Sequence, residues 1–364
     1  MKSFHVLLIL LACTLAAFAQ TPGASIDWQK AQNLFRREQS GEKLSPEDQK
    51  YLDHAKAVRR KGGGDRRGST GSQRKAPASL MPLCDMTAED SYEGEDGGLY
   101  GKGSNEPPQM LEKSAMEALA QIKPLDASGK PAADGKVVLV SISMSNATQE
   151  FSFFKQLADQ DPRKSERLTI VDCAQGGQTM AAWAQPEGRP WPEAMQRLQR
   201  AGVTTDQVQV AWVKLANAGP SGTKTDHLKI LEADTIKVLH LLKQRFPNLR
   251  IAYLGSRIYA GYATTGLNPE PYAYEGAFAV RHLIQQQIAG AAELAADKSP
   301  LLLWGPYLWS NGEKGRKLDG LTYSKEDFGA DGTHPSQSGR EKVARQLLEF
   351  FATNTMAKSW FARP

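Results

Sequence analysis

From Lys136 onward the chain alternates between short, β-branched apolar runs and longer stretches with apolar residues at helical spacing. The runs Val137–Ile142, Arg167–Asp172, Gln207–Leu215, Leu249–Leu254 and Leu301–Trp304 predict five strands. Between them the spacing predicts helices over Thr148–Leu157, Trp191–Ala201, Leu228–Phe246 and Tyr274–Leu294, and Gln337–Phe351 closes the series. Apolar strands separated by amphipathic helices predict an α/β fold, a parallel sheet covered on both faces in three layers. Ligands of such sheets bind beyond the carboxyl ends of the strands, which selects the residues to inspect.

The N-terminal third reads differently. Trp28, Ala31, Leu34 and Phe35 predict one helix, and Ser45-Pro46 opens a second carrying Tyr51, Leu52, Ala55 and Val58, a helical hairpin over residues 25–60. Lys61–Ser79 is a basic, Gly/Ser-rich linker expected to be disordered. Residues 80–364 form the main domain. Met110–Ile122 has helical spacing, but the stretch before it is rich in turns, and Asp96–Pro108 packs four glycines around Tyr100 and Asn105. Two readings of that segment are open, a lip of the active site, slightly preferred, or a cover over the sheet.

Charge and cysteine content narrow the class. Net charge is +5, but much of the basic excess sits in the linker, which does not predict a nucleic-acid binder. The linker could hold the chain to a polyanionic wall or membrane surface, and a solvated tether is the plainer reading. Residues 1–19 predict a signal peptide: Lys2, an apolar core from His5, and a small-x-small cleavage site ending at Ala19. Export to a secreted or periplasmic location follows, with lipidation at Cys13 the minor alternative. No apolar run is long enough for a transmembrane segment. Export would leave Cys84 and Cys173, whose pairing the sequence leaves open. No zinc-ligand spacing and no phosphate loop occurs, so no metal and no cofactor is expected.

The chemistry collects at the predicted strand ends. Ser143-Met144-Ser145-Asn146 follows the first, Asp172-Cys173-Ala174-Gln175-Gly176-Gly177 spans the end of the second, and Ala216-Asn217 follows the third. Near the C-terminus stands Asp331-Gly332-Thr333-His334-Pro335, a carboxylate and an imidazole three residues apart in one turn. Together they supply a hydroxyl nucleophile, amide donors for an oxyanion, and a base with its orienting carboxylate, the parts that acyl transfer requires.

This order of blocks resembles the SGNH/GDSL hydrolases over Val137–Phe351. The resemblance implies a flavodoxin-like sheet and esterase activity. It implies Ser145 as nucleophile, with its own N–H as one oxyanion donor, and Gly177 (or Gly176) and Asn217 as the others. His334 would be the base and Asp331 its partner. Ser143 and Met144 stand where the family carries glycine and aspartate, and Leu215 and Ala218 where its third block carries glycine and aspartate. The hairpin, the GGLYGKGSN segment and Asn268–Glu275 are similar to those of exported proteins of planctomycete and verrucomicrobial type.

Asn146, Arg257, Tyr259, Glu275, Trp304 and Tyr307 are placed around this site as candidates for substrate binding, with Tyr262 and Trp309 nearby. Exposed rings there would stack on sugar faces, and Arg257 would hold a carboxylate, while plain core packing accounts for Trp304 and Tyr307 equally well. The expected function is an exported serine esterase that removes an acyl group, acetyl by preference, from a carbohydrate. The alternative is an inactive relative that binds glycan.

Overall fold

The computed structural model describes residues 26–39, 44–62, 73–77 and 79–363. The signal-peptide expectation and most of the linker lie outside them. The chain divides into two units, residues 1–67 and 68–364.

In the first unit, α1 (Trp28–Gln39) and α2 (Pro46–Gly62) pack on each other as the predicted hairpin. Asp27 Oδ1 caps α1 by accepting from the N–H groups of Gln29 and Lys30, at 2.9 and 3.0 Å. Ser45 Oγ caps α2 in the same way. Tyr51 Oη accepts the Asp27 N–H at 2.9 Å, which ties the start of one helix to the middle of the other.

In the second unit, α3 (Gln109–Gln121) precedes the strands β1 (Val137–Ile142), β2 (Leu168–Asp172), β3 (Val208–Lys214), β4 (Ile251–Gly255) and β5 (Leu301–Trp304). They form one parallel sheet in the order β2-β1-β3-β4-β5, the flavodoxin-like order. The helices are α4 (Ser145–Gln160), α5 (Met180–Trp183), α6 (Pro190–Arg200), α7 (Lys224–Arg245), α8 (Tyr272–Ile288), α9 (Gln337–Thr353) and α10 (Lys358–Phe361). From β1 the chain crosses to β2 on one side, and from β3 to β4 on the other. Right-handed crossovers therefore put α4 and α7 on opposite faces of the sheet. α4 packs with α9 and α7 with α8. Every residue of β1, β3 and β4 is buried, as covering on both faces demands. Phe151 stacks on Trp212 of β3, and Phe154 meets Phe351 and Phe361.

Several local outcomes differ from the sequence reading, among them an α7 that begins at Lys224 and not Leu228. α4 begins at Ser145, three residues before the predicted start, because the carboxylate at the end of β2 holds its first turns, as described below. α8 stops at Ile288 instead of running to Leu294, since Gly290 adopts φ +79° and ends it. The Asp96–Pro108 segment is the cover, not the lip. Trp304 Nε1 donates to the Leu99 carbonyl, Gln285 to that of Tyr100, and Arg281 to those of Asp96 and Gly98, so it lies over α8 and the β5 edge. Its glycines are required there: a Cβ on Gly97 would sit 2.1 Å from the Met86 carbonyl oxygen.

Candidate active site

In a sheet of this order all strands run parallel, but the chain winds outward in opposite directions from β1 and from β3, which opens a crevice at their carboxyl ends. Ser145 follows β1 and Asn217 follows β3, so the crevice lies between them. Ser145 is the first residue of α4, and its N–H has no acceptor within the helix. Its Oγ lies 2.8 Å from His334 Nε2. His334 Nδ1 in turn lies 2.6 Å from Asp331 Oδ2. The other two serines of this stretch face elsewhere. Ser141 Oγ donates to Asp172, and Ser143 Oγ to the Lys214 carbonyl, both inside the core.

The Asp331–His334 turn is held from within. Asp331 Oδ1 accepts the N–H groups of Thr333 and His334, each at 3.0 Å, while Oδ2 takes the imidazole. Burial alone would raise this carboxyl, but those hydrogen bonds outweigh it and hold the carboxyl below its ordinary value. Gly332, at φ +61°, allows close approach: a Cβ there would come within 1.8 Å of the Tyr262 carbonyl oxygen. The Thr264 N–H donates to the Asp331 carbonyl at 3.0 Å, so the loop after β4 braces the turn from outside.

Two features hold Ser145 in place, one that sequence reasoning missed and one to which it gave another role. Asp172, at the end of β2, accepts from Ser141, Thr148 and Ser152, and so ties the first two turns of α4 to the sheet. Burial pushes its carboxyl up, against the pull of those hydroxyls. A polar residue closing an apolar strand beside the nucleophile's strand was the available signal. The second is Asn146. It is buried, and its Nδ2 donates to the Thr333 carbonyl at 2.8 Å. Asn146 therefore joins α4 to the base's turn instead of facing substrate.

Gly176 and Gly177 form a turn stapled at both ends. The Gln175 N–H donates to the Ser143 carbonyl at 2.9 Å and the Met180 N–H to the Ala216 carbonyl at 3.0 Å, so the turn bridges the loops after β1 and β3. Gly177 is exposed, with φ +77°. Asn217 is buried, its Oδ1 accepting the Ala181 N–H at 2.8 Å and its Nδ2 donating to Asp234 at 2.9 Å. An amide nitrogen carries two hydrogens, so one N–H of Asn217 is left for a ligand.

The surrounding candidates divide. Tyr259 and Tyr262 are partly exposed, edge-to-face at 5.2 Å between ring centroids, and the backbone of Tyr262 lies against Gly332 of the His334 turn. Trp304 and Tyr307 are each 3% exposed. Their polar tips are engaged with Leu99 and Leu83, so they are packing residues and not stacking platforms. Glu275 is fully buried and bonded to Arg74, Tyr92 and His227, which takes it out of any substrate site. Arg257 is buried beneath the crevice and not open to a ligand carboxylate. Cys84 and Cys173 are free and buried. Burial pushes the Cys84 thiol up to about 12 and raises that of Cys173 as well, so neither is a nucleophile at neutral pH. Among the described residues no cluster of His, Cys, Asp and Glu has the makings of a metal site.

No family model matches the chain, and neither does any curated protein. Solved structures do. A GDSL-like lipase from Bacteroides thetaiotaomicron is 14% identical, covering 66% of this chain and 95% of its own, at a TM-score of 0.31. The periplasmic domain of a Salmonella Paratyphi A lipopolysaccharide acetyltransferase is 12% identical, covering 65% and 95%, at 0.31. An extracellular lipase from Streptomyces rimosus is 10% identical, covering 58% and 98%, at 0.30.

Proposed function

We propose that this chain is a serine acyl-ester hydrolase with Ser145 as nucleophile, His334 as general base and Asp331 as its orienting carboxylate. The observation that carries the reading is the unbroken relay Ser145–His334–Asp331, at 2.8 and 2.6 Å, on two separately braced elements, the start of α4 and the Asp331–His334 turn. As Ser145 Oγ attacks an ester carbonyl, His334 Nε2 takes its proton, and the carbonyl oxygen gains the charge of the tetrahedral intermediate. The Ser145 N–H, the Gly177 N–H and the second N–H of Asn217 are the donors proposed for that charge. His334 then returns the proton to the departing alcohol, leaving an acyl-serine. Water activated by the same imidazole releases the acid and restores the hydroxyl. An alcohol in place of water would make the same site an acyltransferase.

The substrate proposed is an acylated carbohydrate, met outside the cytoplasm. Tyr259 and Tyr262 support it, being partly exposed rings on the loop that braces the His334 turn and suited to a sugar face. An acetyl group is the proposed acyl, since Met144 and Asn146 on either side of the nucleophile are buried.

The test is labelling of the full chain by a fluorophosphonate probe, beside Ser145→Ala and His334→Ala. Labelling abolished by both substitutions is expected. A folded wild type that takes no label overturns the hydrolase reading and leaves glycan binding, measured directly on immobilised oligosaccharides, as the function to examine.

A further inference from the structure

Arg257 is the first residue after Ser256 at the end of β4, and it is 2% exposed. Its guanidinium reaches across the sheet end toward the nucleophile's strand. Nη1 lies 4.0 Å from the sulfur of Met144, the residue before Ser145. Nε and Nη2, the edge that would grip a carboxylate, have no hydrogen-bond partner. A buried guanidinium without a bonded carboxylate is costly to a fold, so its place calls for a reason.

None of the carboxylates around it bonds to it, although Glu150 Oε1 is itself without a partner. Glu150 on α4 is paired with Lys214 of β3, both fully buried. Glu270 accepts from the Ala260 N–H, the Tyr274 N–H and Trp309 Nε1, at 2.8, 2.9 and 2.7 Å. Asp331 holds His334. On the α9 side Arg340 is bonded through Nε to the Pro335 carbonyl at 3.1 Å. Lys214 offsets Glu150, Glu270 is bonded only to neutral donors, and Arg257 stands as a buried cation beside them, against the residue that precedes Ser145.

We propose that Arg257 is an electrostatic positioning residue for the acyl transfer, a fixed buried cation that favours the negative charge arising on the tetrahedral intermediate at Ser145. It touches neither substrate nor the reacting atoms and acts through the field alone. Such fixed charge acts most strongly where water is excluded, and it needs no reorganisation during reaction. This inference rests on the hydrolase reading.

The experiment is the rate of fluorophosphonate inactivation of the full chain across pH 5 to 9, for wild type, Arg257→Met and Arg257→Lys. Methionine fills the volume without an unpaired donor, and lysine keeps the charge without the fork. Arg257→Met is expected to inactivate about tenfold more slowly, as loss of one nearby unit charge implies. Arg257→Lys should stay within about threefold of wild type, and this variant decides the matter even where the neutral one folds poorly. A lysine variant as slow as the methionine one, or a methionine variant with its rate unchanged, overturns the proposal. A wild type that takes no label at all sinks the hydrolase reading instead.

Discussion

Asn146, the residue after the candidate nucleophile, donates its side-chain amide to the carbonyl of Thr333, the residue before the candidate base, at 2.8 Å. One buried hydrogen bond thus joins the two halves of the catalytic pair from behind, across 187 positions of sequence. Replacing Asn146 with alanine strands the Thr333 carbonyl, at a cost of about 1–3 kcal/mol. It also frees the His334 turn to drift. The expected outcome is fluorophosphonate labelling slowed about tenfold or more, with the Tm lowered by only a few degrees. Labelling at the wild-type rate would show that the turn is held well enough by Asp331 and Thr264.

Asp331→Asn tests the orienter. Asparagine preserves the shape but presents an N–H to His334 Nδ1 or loses the acceptor, which leaves the imidazole in the wrong tautomer. Esterase turnover, once a substrate is found, should fall on the order of 10³–10⁴-fold with the fold intact. A drop below tenfold would show that the backbone bonds of the turn, and not the carboxylate's charge, position the imidazole.

Glu275 anchors the segment that enters the second unit. It is fully buried and bonded to Arg74, Tyr92 and His227, while Gln73 donates to the Gly266 carbonyl at 2.9 Å. Burial would raise this carboxyl, but its three partners outweigh burial and hold it below the ordinary value. The stability it contributes is present above the unfolded carboxyl's titration near 4.5 and is lost as pH falls through the lower folded value. Arg74→Ala leaves the carboxylate without its permanent cation. It should cost about 3 kcal/mol and lower the Tm by several degrees at pH 7, with the acid unfolding midpoint moved to higher pH. Calorimetry across pH 3–7 checks both.

His282 gives the opposite sign. It bridges Glu232 and Glu95 at 2.8 and 3.0 Å, and although burial works against its charge, the two carboxylates raise it to about 9. Its contribution is complete below the unfolded value of 6.5 and disappears as pH climbs through about 9. Denaturant titrations should show about 2 kcal/mol lost over that window. In His282→Gln the slope should flatten. A wild-type stability level from pH 6.5 to 9 would show that Arg281 and Lys224 hold Glu95 without the imidazole.

The sheet was legible in the sequence because a parallel strand buried on both faces must be apolar throughout, and five such runs stand out between helices. The relay was legible as far as residue types at strand ends allow: a hydroxyl, a glycine turn, an amide and an Asp-x-x-His turn. Which side chains look into the crevice was a tertiary matter. Trp304 closes β5 and Tyr259 follows β4, yet one is buried beneath a glycine-rich cover and the other stays partly open. Glu275 and Arg257 are ordinary charged letters until the fold closes over them.

The order of elements, the α/β class and the chemical inventory were thus determined by the sequence alone, through periodicity and local turn preferences that act over a few residues. The tertiary structure decided that Ser145 and not Ser141 or Ser143 faces His334, that Asn146 ties the pair together, and that Arg257 is buried nearby with no carboxylate bonded to it. Those outcomes depend on contacts between positions more than a hundred residues apart, and on burial, which turns a charge that costs little in water into one that must be paired or put to use.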